Sequence, residues 1–194
     1  MCEATTVNEL ADLIRRLFAP ALAGLIAIDG NDGVGKTTLA TDLQAAVGGT
    51  VVSLDDFVAK NRGGYVPHLK TDKLVAVSTK AHRPLIVEGV CVLAVLQRVQ
   101  LGPDLLVYVK RVDEDGYWYD ESICDPSELV DDLVARLAWE VAEVDRFARE
   151  RSGEGSRAES TPKLTPLREE VIRYHATHRP SHKASIAFMR RGDA

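Results

Sequence analysis

Two rhythms of apolar and polar residues divide the chain. From Thr6 to Phe18, Val7, Leu10, Ala11, Ile14, Leu17 and Phe18 recur at helical spacing opposite Glu9, Asp12, Arg15 and Arg16, which predicts an amphipathic helix closed by Pro20. Ala23 to Ile28 is then apolar without interruption and ends at Asp29-Gly30, the pattern of a strand covered on both faces. Helical spacing returns from Lys36 to Val47 and stops at Gly48-Gly49, before the β-branched segment Thr50 to Leu54. Strand, glycine-rich loop, helix and strand in this order make a βαβ unit.

The alternation continues. A Gly- and Pro-containing stretch, Lys60 to His68, precedes a helix that Thr71 can cap and that ends near Lys80. Pro84 opens the strand Leu85-Ile86-Val87, terminated by Glu88-Gly89. Val90 to Val99 reads as a helix and Leu105 to Val109 as a further buried strand. Asp125-Pro126-Ser127-Glu128 combines a cap, a proline suited to a first turn and an acid at the third position, predicting a long helix from there to about Arg149. Arg151 to Pro162 is rich in Gly, Ser, Glu and Arg, which suits a mobile connection or a lid within 146–165. Leu167 to Arg179 is a helix stopped by Pro180, and Ser185 to Met189 a last strand. Strands alternating with helices define an α/β fold with a parallel sheet, here one domain over 1–194.

Composition narrows the function classes. Apolar residues at 45% and charged residues at 27% suit a chain that folds around a core rather than a disordered one. The formal net charge of −5 argues against a general nucleic-acid surface. The longest apolar run, Leu17 to Ile28, holds 12 residues with Pro20 and Gly24 inside it, too short to cross a hydrocarbon layer of roughly 30 Å. The N-terminus lacks the basic start and apolar stretch of a secretory signal, so a cytoplasmic location is expected. Cys2, Cys91 and Cys124 are too far apart in sequence for a zinc or redox clip and read as reduced thiols.

The chemistry concentrates between the first two strands of the βαβ unit. Gly30-Asn31-Asp32-Gly33-Val34-Gly35-Lys36-Thr37 fits G-x-x-x-x-G-K-[ST], and it lies where a phosphate-binding loop must lie, directly between a buried strand and a helix. The glycines let the backbone wrap with its N–H groups inward, and the helix directs its positive end at the same point. Lys36 would reach the β- and γ-phosphates, Thr37 would hold Mg²⁺, and Thr38 follows on the same turn.

Acids at neighbouring strand ends sort the function further. Asp55 and Asp56 follow the second strand of the unit, whose C-terminal end lies on the same sheet edge as the loop, so Asp55 could take the proton of an acceptor hydroxyl. An Asp pair there also suits a turn or a cap. Glu88, at the end of the next strand, stands where nucleotide enzymes keep an acid for the magnesium shell, and it equally suits the start of the following helix.

With these residues in view, the chain resembles the uridine kinase-like family of P-loop small-molecule kinases. Four segments carry the likeness: Ile28-Asp29-Gly30 through Lys36-Thr37-Thr38, Val52-Ser53-Leu54-Asp55-Asp56-Phe57, Leu85-Ile86-Val87-Glu88-Gly89, and Tyr174-His175-Ala176-Thr177-His178-Arg179-Pro180. The resemblance implies a five-stranded parallel sheet with a small helical lid, ATP as donor, Mg²⁺ as cofactor, Asp55 as base and magnesium neighbour, and Glu88 as magnesium ligand. It also implies an acceptor hydroxyl on a nucleoside, sugar or vitamin-like molecule. Asp55 and Glu88 are separated by 32 residues, a shorter interval than in nucleoside-specific relatives, which leaves the acceptor open. The family's lid carries arginines, for which Arg149, Arg151, Arg157 and Lys163 are the candidates; the same charges also suit a solvated linker.

Arg62, Tyr65 and His68 follow the Asp pair closely and, with Asp56 and Phe57, are candidates to line the acceptor pocket. Of Tyr117-Trp118-Tyr119, three consecutive aromatics in an acidic insert, at least one should be exposed. His175, His178 and His182 do not form a metal cluster, because Pro180 breaks any common helical face; exposed or half-buried positions are expected for them. Two other readings stay open. Asp-Gly-Val-Gly-Lys-Thr-Thr also resembles the thymidylate kinase loop, hence a nucleoside monophosphate kinase, and a nucleotide-dependent regulator is the alternative outside the kinases. Monomer and homo-oligomer are both compatible with the sequence.

Overall fold

The computed structural model describes residues 1–18, 23–59, 63–152 and 161–191. Pro20 and two of the candidate arginines, Arg62 and Arg157, lie outside them. The strands are β1 (Cys2–Ala4), β2 (Leu25–Gly30), β3 (Thr50–Ser53), β4 (Leu85–Glu88), β5 (Leu105–Val112) and β6 (Ile186–Arg191). They form one sheet in the order β1-β6-β5-β2-β4-β3, with every pairing parallel. The helices are α1 (Val7–Leu17), α2 (Lys36–Val47), α3 (Thr71–Lys80), α4 (Val92–Arg98), α5 (Glu121–Cys124), α6 (Val130–Ser152), α7 (Pro166–His178) and α8 (Pro180–Lys183). Among the described residues no helix is long and apolar enough to cross a membrane.

Side-chain alternation along the central strands builds two cores. Ile26, Ile28, Ile86, Val107, Val109 and Ile186 face α1 and α2, where Leu10, Ile14, Leu39 and Leu43 complete the layer. Ala27, Leu85, Val87, Leu106 and Tyr108 face the opposite side and meet Leu74, Val92, Val95, Val171 and Tyr174 from α3, α4 and α7. A smaller cluster of Leu133, Leu137, Leu164 and Ile172 seats α6 on α7. The start of α1 is held by a reciprocal cap, Thr6 Oγ1 accepting from Glu9 N–H and the Glu9 carboxylate from Thr6 N–H.

Three expectations need correction. The sheet has six strands rather than five: Cys2–Ala4 adds an edge strand in register with Ile186, Ala187 and Phe188. Three residues with no β-branched side chain carry no strand signal of their own, and the pairing with β6 makes this one. The long helix α6 begins at Val130, not at Asp125. Asp125 instead ends the short α5, and its carboxylate faces His182 at 2.7 Å and Arg179 at 3.7 Å. Finally, His175 is fully buried rather than exposed or half-buried. Its Nδ1–H donates to the Val171 carbonyl at 2.8 Å, so its Nε2 accepts the Tyr108 hydroxyl at 2.9 Å. His178 is half-buried and stacks on Tyr174, and His182 is exposed.

Candidate functional site

The strand order reverses direction at β2, whose neighbours are β4 on one side and β5 on the other. In an open parallel sheet the crevice at such a point, beyond the C-terminal strand ends, is where ligands bind. The phosphate-loop sequence occupies it, leaving β2 at Gly30 and entering α2 at Lys36.

The loop is shaped by its glycines where side chains cannot substitute. Gly35 caps α2 with φ +85°, in the left-handed region, and its carbonyl accepts from the Arg190 guanidinium at 3.0 Å. A Cβ on Gly30 would lie 2.8 Å from the Val109 carbonyl oxygen, so only glycine lets the loop leave the sheet there. Among the described residues no side chain caps the first turn of α2. Its N–H groups, with the positive end of the helix behind them, face the loop interior. Val34 is buried and anchors the loop to the core, whereas Asp32, Gly33, Thr37 and Thr38 are exposed.

Lys36 is 7% exposed and donates from Nζ to the Asn31 carbonyl at 2.6 Å, folded back across the loop. Burial lowers its pKa, and the charges of Asp29, Asp32, Glu88 and Asp55 act in the opposite direction. The charges of four carboxylates therefore act on one ammonium beside the phosphate loop. Glu88, 2% exposed at the end of β4, accepts from Thr37 Oγ1 at 3.2 Å. This hydroxyl and carboxylate are hard oxygen donors of the kind Mg²⁺ takes, and the pair fits such a cation. Among the described residues no group of three or more His, Cys, Asp or Glu side chains converges as a metal cage.

Asp55 lies in a 3-10 turn, Leu54–Phe57, two residues beyond the end of β3, and is exposed. Its Oδ1 accepts from the Tyr65 hydroxyl at 2.6 Å. Tyr65 is buried, and burial followed by the Asp55 charge pushes its pKa well above the ordinary value, so it stays a donor. Tyr65 is brought there by a loop whose ends are tied, Ala59 N–H to His68 O at 3.0 Å and Lys70 N–H to Phe57 O at 2.8 Å. Asp56 is exposed, and Phe57 packs against the core rather than opening to solvent. His68 lines an open groove of about 550 Å³ with Gly64, Cys91, Glu170, Arg173 and Tyr174, bordered by neither Asp55 nor the phosphate loop.

Two polar residues in this region carried no functional expectation. Asp29, the penultimate residue of β2, is fully buried, accepts from Gly30 N–H on Oδ1 at 2.8 Å, and accepts the Tyr174 hydroxyl on Oδ2. Burial raises its pKa to about 6, against the lowering effects of Tyr174, the Gly30 amide and Lys36. Glu170 accepts from the N–H groups of Tyr65 and Val66 at 2.5 and 2.9 Å. An acid inside an apolar strand must have a buried partner, and that was the available signal for Asp29. Glu170 sits on a helix with charges all round and offered none.

Of the remaining candidates, Trp118 packs edge-on against Tyr108 at 5.7 Å beneath Lys110, while Tyr117 and Tyr119 are exposed. Arg149 and Arg151 stand exposed on the last turns of α6, and Lys163 precedes α7.

The fold, a six-stranded parallel sheet flanked by helices, is shared with a solved structure. A solved structure described as a possible uridine kinase from Bacillus stearothermophilus superposes with a TM-score of 0.51 over 94% of this chain and 96% of that one, at 16% identity. A second, provisionally described as a fructose transport system kinase from Silicibacter sp. TM1040, gives a TM-score of 0.43 at 14% identity, covering 98% of this chain and all of the other. No protein-family model and no curated protein matches the chain by sequence.

Proposed function

We propose that the protein is an ATP- and Mg²⁺-dependent kinase that transfers the γ-phosphoryl group to a hydroxyl of a small molecule of the nucleoside, sugar or vitamin-like class. The observation that carries this reading is Asp55. It is an exposed carboxylate oriented by the Tyr65 hydroxyl on the same sheet edge as Lys36, where a hydrolytic switch needs no acceptor base.

In this reading the loop amides and Lys36 hold the β- and γ-phosphates in place of the Asn31 carbonyl that the lysine now contacts. Thr37 and Glu88 would hold Mg²⁺, which when bound neutralises charge on the nucleotide's phosphate oxygens. Asp55 orients the acceptor hydroxyl and takes its proton. Positioning and electrostatics supply most of the acceleration, since the transition state needs little covalent help from the protein.

The nucleoside monophosphate alternative needs a basic clamp for the acceptor's phosphate. Among the described residues of the segment after β3, 54–59 and 63–70, Lys70 is the one Lys or Arg, which makes a poor clamp. The neutral hydroxyl acceptor is therefore the better fit. The test is ADP release with Mg-ATP across nucleosides, sugars, pantothenate-like compounds and nucleoside monophosphates. Stimulation by a compound lacking phosphate supports the reading. Stimulation by monophosphates alone, or hydrolysis indifferent to every acceptor, overturns it.

A further inference from the structure

Helix α7 makes contacts to both halves of the site that the proposed chemistry does not itself require. Tyr174 is buried; its hydroxyl donates to Asp29 and accepts from Leu93 N–H at 3.2 Å, joining α7 to the start of the phosphate loop and to α4. Burial and the Asp29 charge raise the pKa of Tyr174, so it remains a donor. Asp29 in turn holds the Gly30 amide, the point at which the loop leaves β2. One helical turn earlier on the same face, Glu170 grips the N–H groups of Tyr65 and Val66, and the Tyr65 hydroxyl holds Asp55.

These two chains of contacts end on the two groups that must be held a fixed distance apart. β2 and β3 are separated by β4, so the loop and the Asp55 turn stand about 10 Å apart in the sheet direction, two strand spacings. Positions 170 and 174 are separated by a rise of about 6 Å, one turn apart on the same face of the helix. The sheet alone does not fix Asp55, because it lies beyond the last ladder pair, Ser53 with Glu88.

We propose that α7 is the spacer of the transfer site: Tyr174, through Asp29, positions the phosphate loop, and Glu170, through Tyr65, positions the Asp55 carboxylate. Tyr174, Glu170 and Tyr65 are thus positioning residues, acting through Asp29 and Asp55. This assignment rests on the kinase reading for its second half only. A helix that holds both ends transmits any shift of α7 to the donor and the acceptor group together, whereas independent loops would let them drift apart.

The test uses the full chain with Tyr174→Phe, Tyr65→Phe and Glu170→Gln, and three readouts: thermal midpoint, affinity for a fluorescent ATP analogue with Mg²⁺, and kcat and KM with whichever acceptor the panel identifies. Tyr174→Phe should weaken nucleotide binding by about ten-fold, the loss of one hydrogen bond to a buried charge. Tyr65→Phe and Glu170→Gln should leave nucleotide affinity within about two-fold and lower kcat by about ten-fold or more, with acceptor KM little changed. Equal effects of all three variants on nucleotide affinity, or parental kcat per folded molecule, would overturn the spacer. Should the parent transfer to no acceptor at all, the kinase reading fails by itself. Nucleotide affinity still decides the loop half: Tyr174→Phe weaker than Tyr65→Phe supports it, and no difference between them removes it.

Discussion

Thr37 Oγ1 donates to Glu88 Oε1 at 3.2 Å, tying the first turn of the helix after the phosphate loop to the end of the adjacent strand. A hydroxyl and a nearly buried carboxylate in contact fit a hard divalent cation better than they serve stability, since a lone buried carboxylate is expensive to keep. Glu88→Gln retains an acceptor for Thr37 while removing the charge. Nucleotide affinity in EDTA should stay near the parental value, and the gain on adding Mg²⁺ should shrink by about ten- to a hundred-fold. A titration that shows the full Mg²⁺ enhancement in Glu88→Gln would remove Glu88 from the cation's surroundings.

Gly35→Ala separates two sources of strain. An added Cβ would lie 1.7 Å from Arg190 Nη1, yet that atom is the end of a flexible side chain and can swing away. The backbone at φ +85° cannot relax so cheaply, and a non-glycine residue there costs about 1–2 kcal/mol. The substitution should therefore destabilise the protein by about that amount in both the parental and the Arg190→Ala background. A penalty that disappears when Arg190 is truncated would show that the side-chain collision, not the dihedral angle, is what glycine avoids.

How much of this was legible in the sequence depends on how far apart the interacting residues lie. The loop from Gly30 to Thr37 could be read directly, because an apolar strand, glycines and a helical pattern are adjacent in the chain. Asp55 and Glu88 were legible as acids at strand ends, since strand direction in a parallel sheet puts those ends on one edge. The helix signal at Asp125 misled because Asp125 has stronger partners in Arg179 and His182, more than fifty residues away in sequence. Contacts that join residues more than a hundred positions apart, Glu170 to Tyr65 and Tyr174 to Asp29, leave no local pattern at all. The edge strand Cys2–Ala4 was hidden for the same reason: its partner is at the other end of the chain.

The buried His175 and Asp29 make opposite contributions to the pH dependence of stability. Burial lowers the pKa of His175 from 6.5 to about 4, so between those values the unfolded chain binds a proton that the native protein does not, and stability rises with pH. Burial raises Asp29 from 3.8 to about 6, so the native protein holds the extra proton and stability falls as pH rises through the same interval. The two slopes oppose each other between about pH 4 and 6. His175→Gln removes the rising one. The stability difference, parent minus variant, should grow by roughly 3 kcal/mol from pH 4 to 6.5, at about 1.4 kcal/mol per pKa unit. Guanidinium denaturation across this range checks it, and parallel curves for the two proteins would refute the assignment of a neutral His175.

Asp55→Asn is the most discriminating substitution for the chemistry. The Tyr65 hydroxyl donates to Oδ1, and an asparagine carbonyl oxygen accepts the same bond, so the turn at 54–57 keeps its shape. What is lost is the capacity to take a proton and the negative charge near Lys36. Removing a nearby anion does not weaken binding of a polyphosphate, so nucleotide affinity should be unchanged or slightly stronger. Transfer to the acceptor should fall by about 10²–10⁴-fold, the range that a positioned general base contributes. A pre-steady-state measurement of ADP formation separates this from slow product release. If Asp55→Asn transfers at the parental rate with parental nucleotide affinity, the proton goes elsewhere, and the carboxylate held by Tyr65 serves only the turn.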